Sequence, residues 1–139
     1  MRAKGVVIEG LDELRETLER VAPRQAQNIL RSAIHATAGK VRNSMRKRAP
    51  SDRPVLKKSI KSVRRRVRAG ALISDVVITK GRGERYDGFH WHFIEFGTRH
   101  HRAQPFIRPT VREVQPQVPM IMREEFGKKF ERAMARAKK

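Results

Sequence analysis

The chain has 139 residues and no cysteine, and its 33 Lys and Arg outnumber 14 Asp and Glu to give a formal net charge of +19. The lack of thiols excludes disulfides, thiolate metal sites and cysteine nucleophiles, and a chain of this length fits one domain with a modest core. A positive surplus of this size opposes compaction and attracts polyanions, so nucleic acid, an acidic protein surface or an anionic membrane are the partner classes it points to.

The apolar fraction is 38% and the charged fraction 34%, so part of the chain is expected to serve as an exposed arm or interface rather than as core. The first ten residues, MRAKGVVIEG, carry no secretory pattern. No apolar run approaches the ~20 residues that a membrane span needs. The expectation is a soluble protein made in the cytoplasm, with no membrane partner.

In chain order, Gly5 to Gly10 is a short β-prone run that either adds a strand or leaves residues 1–9 as a flexible arm. Leu11, Leu14, Leu18 and Val21 repeat at helical spacing, the stripe of a helix of about three turns. Asp12 and Glu13 suit its positive dipole end. Pro23 closes this helix or opens the next. Residues 24–49 again read as helix, with Ala26, Leu30, Ala33, Ile34, Thr37, Val41 and Met45 on one face. The small residues Ala33, Ala36, Ala38 and Gly39 allow another element to approach closely, whereas His35 and Ser44 are expected on the helix surface.

Residues 49–54, with two prolines, read as a loop. Lys57, Lys58 and Lys61 follow it, interleaved with Leu56, Ser59 and Ile60. Residues 62–68 alternate, which predicts a strand with Val63, Arg65 and Val67 on one face and a basic, solvated face of Arg64, Arg66 and Arg68. Residues 69–71 form a turn, and 72–79 a second, more buried strand, completing a β-hairpin. The glycine-rich polar segment 80–88 is expected to be a mobile loop.

The stretch HWHFIEFGTRHHRAQPFIRP, residues 90–109, concentrates the only Trp, four of five His and three of six Phe. Residues 90–96 fit a strand or two turns of helix; seven residues are too few for periodicity to decide, and a C-cap at Gly97 favours the helix. Residues 99–104 form a basic loop. Phe106 and Ile107 are expected to plug the core ahead of a helix beginning at Pro109, and Phe93, Ile94 and Phe96 to fix the start of that helix with them. Its apolar stripe is Val111, Val114, Val118, Ile121, Met122, Phe126, Phe130 and Met134, and Pro116 and Pro119 should break or kink it.

The chemistry on offer is sparse. His90, His92, His100 and His101 could meet at a zinc ion with Glu95 or Asp87, but their spacing matches no known zinc site and His-Glu-x-x-His is absent. No nucleophile with its base, carboxylate pair or phosphate cradle stands out, and Glu124 and Glu125 read as exposed. The expectation is no catalytic residue, no metal and no cofactor. Any DNA contact, through Lys57, Lys58, Arg64, Arg66 and Arg68, would be to phosphates, non-specific and salt-sensitive. Glu95 is costly to bury unless paired. Either an Arg partner, with Arg108 the candidate, holds it within the chain or across an interface, or it lies on the wet face of an amphipathic turn. Glu95, Arg99, His100, His101 and Arg108 are therefore the candidate subunit-interface residues.

Several segments resemble the neck and tail-completion proteins of long-tailed phages, the group that includes the lambda tail completion protein. They are Gly10-Leu11 with Leu14, a long helix ending at Ala49-Pro50, the Ser59-Ile60 segment, Phe93-Ile94-Glu95-Phe96-Gly97-Thr98, and Gln104-Pro105-Phe106-Ile107-Arg108-Pro109. Arg53-Pro54 departs from the Thr-Gly usual in that family. The resemblance implies a non-enzymatic virion protein, made in the host bacterial cytoplasm, that forms a sixfold or twelvefold ring of its own copies at the head–tail junction. Its neighbours would be the head-completion protein and the tail terminator or tail tube, with genome DNA passing non-specifically through the lumen. The expected architecture is α+β: a long N-terminal helical segment and a C-terminal helix packed on a small antiparallel sheet containing the hairpin, in one domain spanning 1–139.

Overall fold

A computed structural model describes residues 23–50, 54–65, 71–79 and 90–137. The expected arm at 1–9, the 11–21 helix, the 80–88 loop, Arg66 and Arg68 lie outside them. The architecture is α+β. Helix α1 (Pro23–Arg48) is followed by α2 (Pro54–Ser59), strands β1 (Ile60–Arg65) and β2 (Ile73–Ile78), α3 (Trp91–Phe96), α4 (Ile107–Val114), a 3-10 turn at Gln115–Gln117, and α5 (Val118–Ala137).

Helix α1 is the axis of the fold because its apolar stripe is met along its whole length. Near its start Leu30 and Ala33 pack with Met122 and Phe126 of α5; near its end Met45 and Ala49 pack with Leu56, Ile60 and Phe106. Close approach occurs where the side chains are small. Ala33 is fully buried, and Thr37 Oγ1, bonded back to the Ala33 carbonyl at 2.9 Å, lies 3.5 Å from Met122 Sδ. Gly39 does not take part, meeting only the Arg42 side chain.

A second, polar stripe of α1 attaches the hairpin. His35 Nδ1 lies 3.0 Å from Ser74 Oγ, Arg42 donates to Ser62 Oγ at 3.2 Å, and Arg46 donates twice to the Ile60 carbonyl, at 2.9 and 2.6 Å. His35 is thus a half-buried seam residue rather than a surface one. Burial, with the positive charge of Arg64 and Arg42, holds its pKa below the ordinary value, so at neutral pH the seam carries a neutral ring. Ion pairs reach from α1 to the opposite side: Lys40 to Glu125 at 3.0 Å and Glu124 at 3.7 Å, and Arg48 to Glu113. Glu125 is half-buried in this pairing, not exposed as the sequence suggested. Its carboxyl is lowered chiefly by the Lys40 hydrogen bond, against an opposing effect of burial.

The hairpin pairs antiparallel, Ile60 opposite Ile78 through Arg65 opposite Ile73. The strand begins at Ile60, two residues before the alternation suggests, and this decides which face is wet. Ile60, Val76 and Ile78 pack into the core, so Ser62 and Ser74 share their side. Val63 and Ile73, 40% and 43% exposed, lie on the outer face with Arg65 and Asp75, which pair at 2.6 Å. The alternation of Val with Arg marked the wrong face because the inward positions of this strand are filled by Ile60 and a serine. The second strand is only half-buried. Pro54, read as the end of a loop, instead opens a turn and a half of helix over residues 54–59, whose Leu56 and Ser59 are buried.

The C-terminal helix starts at Ile107 rather than Pro109 and is interrupted, as expected, around its prolines. Pro116 lies in the first turn of the 3-10 segment and Pro119 in the first turn of α5, where a missing N–H leaves no helical hydrogen bond unmade. Gln115 and Val118 keep right-handed helical angles, so the axis is tightened rather than ended. Val114, Met122 and Phe126 are buried, whereas Val111 and Met134, expected in the stripe, are 44% and 47% exposed.

The register yields a direct test. Ile60→Ala should lower stability by about 2–5 kcal/mol, the cost of an aliphatic truncation in a closed core. Val63→Ala should change it by no more than about 1 kcal/mol, as expected at a half-exposed position. Thermal denaturation of both variants checks this; a larger loss at Val63 would place the wrong face inward.

Candidate functional site: a buried carboxylate beneath a basic aromatic surface

Helix α3 inverts the usual rule of burial. Its carboxylate, Glu95, is 1% exposed, whereas Phe93 and Phe96 are 44% and 59% exposed; Trp91 and Ile94 pack partly into the core. The inversion has a local cause. Helix α4 begins without an acidic residue in its first turn, and its N-cap, Phe106, has no side chain able to cap it. The first four N–H groups of a helix lack intrahelical partners. Here the fourth position is Pro109, which has no N–H, so three donors remain. All three point at Glu95: Phe106 N–H and Ile107 N–H donate to Oε2 at 2.7 and 2.9 Å, and Arg108 N–H donates to Oε1 at 3.0 Å.

Arg108 Nε adds a fourth, longer bond to Oε1 at 3.3 Å. Burial by itself would push the Glu95 carboxyl up; the three backbone N–H groups and the Arg108 side chain outweigh it and hold the group below the usual carboxylate range. Glu95 is therefore ionised at neutral pH, a full negative charge at the positive end of α4.

The connection from α3 to α4 is built to keep this geometry. Gly97 ends α3 with φ 76° and ψ 175°, a positive φ that favours glycine. A Cβ there would stand 2.7 Å from the Ala103 backbone nitrogen and 3.1 Å from the His101 carbonyl oxygen. Thr98 organises the next turn. Its N–H donates to the His101 carbonyl at 2.9 Å, and its Oγ1 accepts from His101 N–H at 3.1 Å and His100 N–H at 3.3 Å. Gln104 N–H returns to the Ile94 carbonyl at 2.8 Å. Phe106, wholly buried, then locks the chain into the core.

What this frame presents outward is basic and aromatic. Arg99, His100, His101 and Arg102 are exposed along the loop. The Arg108 guanidinium lies 4.9 Å from the centre of the Phe96 ring, within range of a cation–π contact. Phe93 stacks with His90 at 5.9 Å and meets His92 at 4.1 Å between ring centres. A shallow cleft beside them is lined by His90, Phe93, Ile94, Thr98, His101, Arg102 and Gln104.

The predicted site residues fall in two places. Glu95, Arg99, His100, His101 and Arg108 come together here, but Glu95 is spent within its own chain and offers no surface to a neighbour, whereas the other four candidates remain outward. Phe93 and Phe96 do not fix the start of the helix; Glu95, Phe106 and Ile107 do. Lys57 and Lys58 are on α2 and Arg64 is exposed on β1. Among the described residues no three His, Asp or Glu side chains converge as a metal site, and no helix is long and apolar enough to cross a membrane. Sequence reasoning found the Arg108 pair but missed the backbone donors. The available signal was a helix start, Pro105-Phe106-Ile107-Arg108-Pro109, with no capping residue of its own.

A family model described as "Bacteriophage HK97-gp10, putative tail-component" matches residues 12–97 of this chain. The chain belongs to the HK97-gp10-like family. Curated proteins and solved structures give no match. The HK97-gp10-like match takes in α1, the hairpin and α3, including Glu95 and Gly97. It ends before the basic loop and before the α4 start that Glu95 caps. The family is one of phage tail components, which agrees with the structural, phage-derived character inferred from the motifs.

Because the capping is mainly by backbone N–H groups, the two ends of the Glu95–Arg108 pair should respond unequally. Glu95→Gln keeps the shape but removes the charge and half the acceptors, and should cost about 2–4 kcal/mol. Arg108→Ala, at a side chain that is 56% exposed, should cost no more than about 1 kcal/mol. Since the native carboxyl is lowered, its contribution is complete above the ordinary carboxylate pKa of about 4.3 and is lost as pH falls through the lowered native value. The stability gap between wild type and Glu95→Gln, followed by urea denaturation against pH, should be full at neutral pH and close on acidification.

Proposed function

We propose that this tail-component family member is a non-enzymatic neck or tail-completion protein, of the kind that includes the lambda tail completion protein, and that it assembles as a ring of its own copies at the head–tail junction of the virion. The observation that carries this reading is the surface over Glu95. A rigidly held turn displays Phe93, Phe96, Arg99, His100, His101, Arg102 and Arg108 outward, and the one carboxylate within residues 90–109, Glu95, is buried. Exposed aromatics beside arginines are the composition of interface hot spots rather than of a solvated surface. Family membership over residues 12–97 supports the virion setting.

In this reading the partners are further copies of the chain, the head-completion protein on one side and the tail terminator or tail tube on the other. Sixfold or twelvefold closure would match the symmetry of such a joint. Genome DNA passes through the lumen, where Lys57, Lys58, Arg64, Arg66 and Arg68 offer non-specific phosphate contacts. The protein is made in the host cytoplasm and ends in the virion.

Sedimentation and negative-stain electron microscopy of the purified protein, paired with a salt titration on duplex DNA, test this. Closed rings with weak DNA affinity are expected. A stable monomer that binds duplex tightly, with affinity falling steeply as salt rises, would instead identify a basic nucleic-acid-binding protein.

A further inference from the structure

The surface over Glu95 requires an occupant that is both apolar and acidic, and the sequence contains one such segment. Residues 9–21 read EGLDELRETLERV. Glu9, Asp12, Glu13, Glu16 and Glu19 are five of the fourteen acidic residues of a chain that is otherwise strongly basic, and only Arg15 and Arg20 oppose them. Leu11, Leu14, Leu18 and Val21 give the same segment one apolar stripe, which is continuous only in a helix. Among the described residues, Asp75 pairs with Arg65, Glu113 with Arg48, Glu124 and Glu125 with Lys40, and Glu95 is buried.

In sequence the acidic segment leads into the start of α1, whereas the aromatic surface lies beside the end of that helix. The segment joins α1 at Pro23. The aromatic surface lies at the other end, where Trp91 and Ile94 of α3 pack beside Met45 and Ala49. At the helical rise, Pro23 and Met45 are roughly 33 Å apart, and a helical 11–21 segment is only about 15 Å long. With the helix that its leucine spacing predicts, the segment would fall short of the aromatic surface of its own chain.

From these observations we infer that residues 9–21 dock on the Phe93/Phe96 surface of a neighbouring copy, the leucine stripe against the two rings and the carboxylates against Arg99, Arg102 and Arg108. The inference rests on the ring reading and specifies its contact. Each copy gives a segment at one end and receives one at the other, a head-to-tail contact of the type that closes into rings.

The cysteine-free chain allows a clean test in full-length protein. Thr17→Cys in a tagged copy and His100→Cys in an untagged copy are co-expressed and treated with a short bis-maleimide. The expected product is a tagged–untagged dimer that exceeds either same-type dimer. In a second arm, Arg99→Glu with Arg102→Glu should weaken self-association roughly tenfold or more, and adding Asp12→Lys with Glu16→Lys in the same chain should restore it. Circular dichroism verifies that each variant is folded. Assembled protein that yields no mixed dimer would overturn the docking and leave the ring reading standing. A chain carrying both cysteines that bridges within itself would overturn it as well, by showing contact in cis. Protein that stays monomeric at every concentration would overturn both.

Discussion

A single carboxylate fixes the geometry on which the C-terminal half of this protein depends. Three helix-start N–H groups and one guanidinium converge on Glu95, from an element eleven to thirteen residues further along the chain. A buried, ionised carboxylate is costly unless its lone pairs are met by donors, and an uncapped helix start buried next to a core is costly for the complementary reason. Each cost is removed by the other group. The arrangement needs α3 and α4 to meet at one fixed angle, and the Gly97 turn, the Thr98 hydrogen bonds and the buried Phe106 ring supply that constraint. Helix α4 then delivers α5 to the leucine–alanine stripe of α1, so the packing of Met122 and Phe126 follows from the same anchor.

Burying Glu95 also decides what is left outside. In a six-residue helix, turning the glutamate inward leaves Phe93 and Phe96 facing water. The loop that holds the turn carries Arg99 and Arg102, and the one carboxylate within residues 90–109 is consumed internally. Among the described residues the local surface is thus both apolar and positively charged. That combination suits a partner bearing carboxylates on an apolar frame, and it suits an assembling tail component better than a freely diffusing monomer, in which two exposed phenylalanines would be a liability.

Much of the fold could be read from residue patterns because its main elements are long or locally specified. The three-and-four spacing of Ala26, Leu30, Ala33, Thr37, Val41 and Met45 marks α1, and the β-branched run before Thr79 marks β2. Pro116 and Pro119 foretell the interruption of the last helix. The failures share a physical cause: each turned on a contact distant in sequence. The inward face of β1 was misread because Ile60, preceding the alternation, sets the register from the core side. Glu95 was read as facing an arginine side chain, whereas its main partners are backbone donors, and backbone N–H groups leave no trace in residue identity. Phe93 and Phe96 were expected to fix the start of the last helix, whereas their own helix turns around the glutamate and leaves both rings exposed. The Phe-Ile-Glu-Phe-Gly-Thr and Gln-Pro-Phe-Ile-Arg-Pro segments are joined physically, a carboxylate in the first closing the helix start in the second.

The central claim is that Glu95 is ionised, buried and bonded to the N–H groups of Phe106, Ile107 and Arg108. Carbon-13 NMR of the Glu95 side-chain carboxyl, titrated with acid and followed together with the amide protons of those three residues, addresses it most directly. The account predicts that the carboxyl resonance stays in its ionised position through the range in which ordinary glutamates titrate, and that the three amide protons move together with it when it finally protonates. A carboxyl that titrates with the exposed glutamates, with those amide protons unaffected, would contradict it.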